Sequence, residues 1–585
     1  MCGIVGYKGN QKAIPVLLYG LKSLEYRGYD SAGIALKRDK NIEEYKAVGK
    51  VKNLEELIKD AKDSNLGIGH TRWATHGGVA KINARPHSVG NITLVHNGII
   101  ENYLELKEKL INEGYTFKSE TDTEVLCALI DHLNKKNKDL VKTLGELYHG
   151  VKGSFAILVL NKDDNKLYAA RWNSPLILAS QNDEYFLASD ICAILKYTNE
   201  YYILENGNIV CIDKEAKIFD EKLQKVSLKK QIYEGSIEDS QLNGYEHFML
   251  KEIHEEPKVV DTILSYYIKD NKLINIPDLK KYKEIYIVGC GSAYNTGLIS
   301  AKIYEKYLNI PVRSFLASEY RYQKHFYNKD TLVIFISQSG ETADTLEALR
   351  ITKKDGIDTL ALVNTYASSI AREADKTLYL KCGVEIAVAT TKAFTAQLVL
   401  LALVMLKIAN KEENISDFLN LPELLNNLLK LDYKNYAKKI YQNNNAFFIG
   451  RQIDSGLCEE GALKLKEISY INCVSFPAGE LKHGTISLIE KNTPVIAITS
   501  DESIMEKTIS NIKEVKARDA YVLWITNEDL KADFYDDKIV IPKVSDIVQS
   551  ILILLPLQYI AYEVALLKEL PIDKPRNLAK SVTVE

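Results

Sequence analysis

The sequence predicts a multidomain α/β protein: a strand-rich α/β domain over about the first 230 residues, then two tandem doubly wound parallel α/β domains. Three observations carry this. The opening third alternates short β-type runs, "ITLVHNGII", "SFAILVL", "KLYAARW" and "GNIVCID", with few long helices. From residue 285 the texture changes, and pure apolar runs such as "IYIVGCG" and "TLVIFIS" each precede a helix, as buried parallel strands do. That second pattern then returns. "IYIVGCGSAYNTG" pairs with "AFFIGRQIDSGLCEEG", "LVIFISQSGETADTLEAL" with "PVIAITSDESIMEKTISNI", and "TLALVN" with "YVLWITN". The offset stays at about 161–163 residues in all three, and chance similarity does not hold register in that way.

Taken in order, the first domain covers 1–238, with helices expected over "QKAIPVLLYGLKSLEY" and "TDTEVLCALIDHLNKK". A charged, helix-forming connector follows over 239–274, opening after Gly244. The repeated folds take 275–430 and 431–575, and a tail over 576–585 follows the "DKP" break. Net charge is −3 with a pI near 6.4, so no field draws the chain to nucleic acid or an anionic membrane. The start lacks a basic n-region and an apolar h-region, and the apolar stretches at 398–406 and 548–567 read as core helices. A cytoplasmic location is expected. The eight cysteines form no C-x-x-C pair, which leaves no metal site to propose and makes seven of them ordinary reduced thiols.

Cys2 is the eighth. An initiator Met before a small residue is removed, which leaves Cys2 with a thiol and a free α-amine. Their ordinary pKa values lie close together, so the amine is a ready base for its own thiol. Arg72 in "GHTRWATHG" offers a planar fork for a carboxylate. Asn97 and Gly98 in "HNGIIENY" offer an amide and an unencumbered N–H for an oxyanion, and Asp122 in "SETDTEV" a partner for an ammonium. A guanidinium and a carboxylate together suit a free amino acid.

"MCGIVGY", "LEYRGYDSAG", "TRWATHG", "HNGIIENY" and "SETDTE", in that order, resemble the N-terminal-nucleophile glutamine amidotransferases, which release ammonia from glutamine. The resemblance implies an αββα sandwich, Cys2 as nucleophile, Asn97 and Gly98 as oxyanion hole, and a glutamine site of Arg72, Trp73, Thr75, His76 and Asp122. Other enzymes with this domain carry an "SGGxDS" loop, a ribose-reading acidic pair or cluster-ligating cysteines; none is present here.

Instead, "VIFISQSGETADT" ends a buried strand in hydroxyls, a Gly and fresh helix N–H groups, a cradle for a phosphomonoester. It lacks the P-loop Lys, and "GCGSAYNTG" lacks the third Gly of a dinucleotide fingerprint, so no cofactor is expected. In "EGALKLKE", Glu460, Lys464 and Glu467 lie at i, i+4 and i+7, on one helix face. "SQSGET" in a tandem α/β repeat resembles the sugar-isomerase domains. The whole chain, including "PAGELKHG" and "PRNLAKSVTVE", resembles the glutamine–fructose-6-phosphate aminotransferase (isomerising) family.

That resemblance implies transfer of glutamine nitrogen to fructose 6-phosphate, the first step of amino-sugar (UDP-N-acetylglucosamine) synthesis. It makes Glu467 the C1/C2 proton shuttle, supported by Lys464 and Glu460. His483 becomes the ring-opening acid/base, delivered across a homodimer, and Lys580 the Schiff-base amine on a closing tail. Ser292, Ser337, Gln338, Ser339, Thr342, Val388 and Ala579 line the sugar-phosphate site. Two positions depart from the family pattern: Ala293 stands where a hydroxyl is usual, and Thr485 where Pro is usual. The alternatives are a phosphosugar deglycase or deaminase and a sugar-phosphate-binding regulator.

Overall fold

The computed structural model describes residues 2–233 and 241–582. Met1 and its expected removal, the end of the first domain at 234–238, connector residues 239–240 and tail residues 583–585 lie outside the described residues. The chain divides into two compact units, Met1–Gln241 with Ala579–Glu585, and Leu242–Leu578.

The first unit is built on two antiparallel sheets, of eight and six strands. Strand Gly3–Lys8 lies inside the larger sheet between Leu66–Arg72 and Glu184–Ala188, and Ile92–Ile100 lies in the smaller sheet beside Gly153–Asn161. Side chains alternate faces along each strand. Ile4, Ile68, Val95, Leu158 and Leu187 therefore meet in one core between the sheets. Val5 points the other way, against Gly20 of helix Ala13–Ser23, where a Cβ would stand 2.8 Å from its Cγ2. Helices Asp122–Asn137 and Leu140–Gly150 cover the outer face of the smaller sheet through Val125, Leu126, Ile130 and Leu144. The result is the expected αββα sandwich. The same alternation places the chemistry: Cys2 shares parity with Ile4, Arg72 with Ile68 and Asn97 with Val95, so all three extend the inter-sheet face at one end.

The second unit holds two five-stranded parallel sheets of identical topology. In chain order the first has strands Glu284–Gly289, Val312–Leu316, Thr331–Ser337, Asp358–Val363 and Lys376–Tyr379, paired 2-1-3-4-5. The second repeats that order with Asn445–Gly450, Asn472–Pro477, Pro494–Thr499, Tyr521–Thr526 and Asp537–Val540. The repeat extends to backbone detail. After the first strand of each copy the chain turns into a helix through a residue of positive φ, Gly291 at 54° and Gln452 at 52°. The two copies share one apolar core that runs from Ile299 and Leu401 to Leu465 and Leu554. The connector contributes helix Phe248–Tyr267, whose Met249, Ile253, Val260 and Ile263 belong to that core, so this segment is an integral element of the unit. Helices Lys392–Ala409 and Asp546–Leu567 are long and apolar enough to cross a membrane, yet 83% and 78% of their apolar stretches are buried inside the protein.

One buried group has a measurable consequence. Glu256, on helix Phe248–Tyr267, is fully buried, and neither carboxylate oxygen has a partner in hydrogen-bond geometry among the described residues. Burial pushes its pKa up to about 8, against the opposing pull of nearby Thr395 and Gln558. A carboxyl whose folded pKa is raised contributes stability below its unfolded pKa and loses it as pH rises through the folded one. Glu256→Gln should therefore raise the melting temperature by a few degrees, with a gain that grows from about pH 5 to pH 8. Melting curves across that range check it, and a gain independent of pH would contradict it.

Candidate active sites

In the first unit, Cys2 is buried beneath the end of its strand. The Trp73 N–H donates to its Sγ at 3.4 Å, and the thiol faces the Trp73 carbonyl at 3.6 Å. Asn97 reaches Cys2 through its Nδ2, which donates to the Cys2 carbonyl oxygen at 2.9 Å, while its Oδ1 is buried without a partner among the described residues. Gly98 has φ +136°, and a Cβ there would lie 2.0 Å from the Ser154 carbonyl oxygen. Only glycine fits so close to that backbone.

Arg72 is fully buried at the end of its strand. Its Nη2 donates to the carbonyls of His76 at 2.6 Å and Gly77 at 2.7 Å, its Nη1 to Gly78 at 3.1 Å, and its Nε has no partner among the described residues. Backbone carbonyls of the 76–78 loop thus occupy the fork intended for a carboxylate. Trp73 and His76 are half-buried, the His76 ring standing edge-on to Tyr103, and Thr75 is exposed.

Asp122 opens helix Asp122–Asn137 but does not cap it; Thr121 does, accepting from the Glu124 N–H. The Asp122 carboxylate, fully buried, accepts the Ile100 N–H at 3.0 Å. Burial opposes its charge, but His96 and Arg85 outweigh burial and hold its pKa below the usual range. His96 itself is pushed down to about 4, by burial above all, with Arg85 adding to the effect. Arg85, invisible to sequence reasoning, is 1% exposed and stands among Cys2, Asp122 and Thr123.

In the second unit, strands Glu284–Gly289 and Thr331–Ser337 lie side by side where the strand order reverses, the switch point at which doubly wound sheets bind ligands. Ser337, Gln338, Ser339 and Thr342 gather in one turn there. Ser337 and Thr342 share a hydroxyl–hydroxyl bond of 2.9 Å, the Gly340 N–H donates to Ser337 Oγ at 3.0 Å, and the Glu341 N–H to Ser339 Oγ at 3.2 Å. Thr342 then stands at the N-cap position of helix Ala343–Lys354, its hydroxyl turned to Ser337, so the helix's first N–H groups are left uncapped beside the turn. Gly340 is obligatory at φ +66°, since a Cβ would fall 1.9 Å from Ser368 Oγ.

Helix Ile453–Ser469 of the second copy supplies Glu460, Lys464 and Glu467 on one face, as the spacing predicts. Lys464 bridges the two carboxylates, 3.4 Å from Glu460 Oε1 and in direct ion-paired contact with Glu467. Burial opposes the lysine's charge, but Glu460 and Glu467 overcome it and raise its pKa; burial raises that of Glu460. Ser292 donates to Glu460 Oε1 and Asn295 to Oε2, each at 2.9 Å. The Ser292 hydroxyl expected to meet sugar is thus engaged with a residue of the other copy. Asn295 escaped sequence reasoning because its partner is 165 residues away.

Val388, buried in its loop, donates its N–H to the Asp573 carbonyl at 3.0 Å. His483 is exposed in the single turn Glu480–His483, and among the described residues no hydrogen bond links it to the Glu460 row. Ala579 and Lys580 are half-buried and belong to the first compact unit.

Residues 278–407 and 439–568 each match the model of the SIS domain, and 80–196 match that of the glutamine amidotransferase domain. A glutamine–fructose-6-phosphate aminotransferase (isomerizing) of Clostridium tetani is 46% identical over 612 residues, spanning 100% of both chains. The enzyme of that name from Thermus thermophilus is 40% identical over 606 residues, again across 100% of both. Among solved structures, the C-terminal domain of glucosamine-fructose-6-phosphate aminotransferase from Francisella tularensis is 35% identical with a TM-score of 0.55, covering 57% of this chain and 99% of that one.

Proposed function

The chain belongs to the glutamine–fructose-6-phosphate aminotransferase (isomerizing) family and converts D-fructose 6-phosphate and L-glutamine to D-glucosamine 6-phosphate and L-glutamate; we propose how its residues divide that reaction. The observation that carries the assignment is 46% identity over the full length of both chains.

With Met1 removed, the α-amine of Cys2 accepts the thiol proton and the thiolate attacks the glutamine side-chain carbonyl. Arg72, once the carbonyls of the 76–78 loop release its fork, holds the substrate's carboxylate and Asp122 its amine, with Trp73, Thr75 and His76 lining the site. Asn97 swings from the Cys2 carbonyl to the oxyanion beside the Gly98 N–H. Ammonia leaves past Trp73, and water hydrolyses the thioester to glutamate.

The hydroxyls of Ser337, Ser339 and Thr342, with Gln338, hold the sugar phosphate, and Ser292 and Val388 line the rest of the site. His483, supplied by the second subunit of a homodimer, opens the ring. Lys580 forms a Schiff base at C2, and ammonia displaces it. Glu467 then carries a proton from C1 to C2, while Lys464 and Glu460 fix its position and charge. Imine formation releases one water and thioester hydrolysis consumes one, so the overall transfer balances. Incubation with both substrates should give glutamate and hexosamine 6-phosphate in equal amounts; ammonia release without hexosamine 6-phosphate would overturn the assignment.

A further inference from the structure

Arg85 follows the single turn Lys81–Asn83 and enters the buried end of the sandwich, where its guanidinium meets three groups. Its Nε donates to Thr123 Oγ1 at 2.7 Å, its Nη1 lies 3.9 Å from Cys2 Sγ, and its Nη2 lies 3.6 Å from Asp122 Oδ1. An arginine this deeply buried is costly unless its charge is answered. Here the answer is incomplete. The ion pair with Asp122 is long, and the Thr123 hydroxyl is neutral.

The other groups around the sulfur sharpen the point. From strand Leu66–Arg72 come Arg72, a second buried cation, and His70, held far below its usual pKa chiefly by burial. From strand Ile92–Ile100 comes His96, its pKa pushed down to about 4, chiefly by burial. Asp122, at the head of its helix, is the one fully buried carboxylate of the group. Asp30 is half-buried and accepts the Ala74 N–H at 2.8 Å, and His76 lies on the loop beyond Trp73. Two buried guanidiniums thus face one buried carboxylate, leaving a surplus of positive charge that an anion at Cys2 would neutralise.

We propose that Arg85 is a catalytic residue of the glutamine half-reaction: its Nη1 stabilises the Cys2 thiolate, and its Nη2 holds Asp122 in line for the substrate amine. The proposal rests on Cys2 as the nucleophile, and its test separates the two claims. Thiolates beside arginine form at lower pH than free thiols. Arg85→Gln should therefore raise the pH midpoint of Cys2 alkylation by iodoacetamide, read by mass on the N-terminal peptide, by about one unit or more. The alkaline shift should reappear in the pH profile of glutamine hydrolysis, with a rate at pH 7 reduced at least about tenfold. Arg85→Lys, which keeps the charge, should recover most of the shift. Thr123→Val removes the hydroxyl that orients the guanidinium, and should move the midpoint the same way by less. A cooperative melting curve that matches the wild type in both units reports that each variant is folded. Loss of hydrolysis with an unmoved alkylation midpoint would show Arg85 to be only structural and overturn the proposal. Wild-type hydrolysis in Cys2→Ala would instead overturn the nucleophile beneath it.

Discussion

Cys2→Ala should abolish glutamine-dependent hexosamine 6-phosphate formation, a loss of at least about 10³-fold, because no other group at the site can form the thioester. Glutamine hydrolysis should disappear with it. Interconversion of fructose 6-phosphate with its aldose isomer should survive, since the groups proposed for that step, Glu467, His483 and Lys580, are left intact. Cys2 has buried surroundings that tolerate a smaller side chain: Trp73 brackets the sulfur through its backbone, and Asn97 holds the Cys2 carbonyl, which alanine keeps. Folding is thus expected to persist, and a coupled ammonia assay beside a hexosamine assay reads both results. Retained glutamine turnover would remove the thiol from the mechanism.

Glu467→Gln is the counterpart in the other unit. It keeps the shape of the side chain and its place beside Lys464 but removes the base, and general-base contributions run to about 10²–10⁴-fold. Both hexosamine synthesis and ketose–aldose interconversion should fall by that order, while glutamine hydrolysis continues. The turn at Ser337–Thr342, proposed to hold the phosphate, is untouched, so the KM for fructose 6-phosphate should change little. A variant that instead raised KM with kcat preserved would mark Glu467 as a binding group.

The fold was legible wherever burial imposes a period or a composition. "IYIVGCG" and "TLVIFIS" read as parallel strands because both of their faces are covered, and they are strands Glu284–Gly289 and Thr331–Ser337. The repeat was legible because both copies must fill equivalent layers. The row of Glu460, Lys464 and Glu467 followed from helical spacing alone. What stayed hidden depends on contacts between distant segments. No local pattern tells that Arg85 turns inward toward a sulfur 83 residues away, or that Ser292 answers Glu460 across the copies. Likewise the bond of Asn97 to the Cys2 carbonyl arises from the stacking of two sheets, and neither strand encodes it. The connector reads as helix-forming after Gly244, and helix Phe248–Tyr267 lies there; that its Met249, Ile253, Val260 and Ile263 fill the second unit's core again depends on distant segments.

Nitrogen released at Cys2 is proposed to pass to the sugar. Free ammonia would be protonated in neutral water, so delivery through the protein predicts little exchange with bulk. The direct measurement supplies glutamine labelled with ¹⁵N in its amide, fructose 6-phosphate and an excess of unlabelled ammonium, and weighs the hexosamine 6-phosphate formed. The product should carry the label almost undiluted; product drawn from the ammonium pool, or labelled ammonia with no labelled sugar, would rule out transfer from Cys2 to the sugar.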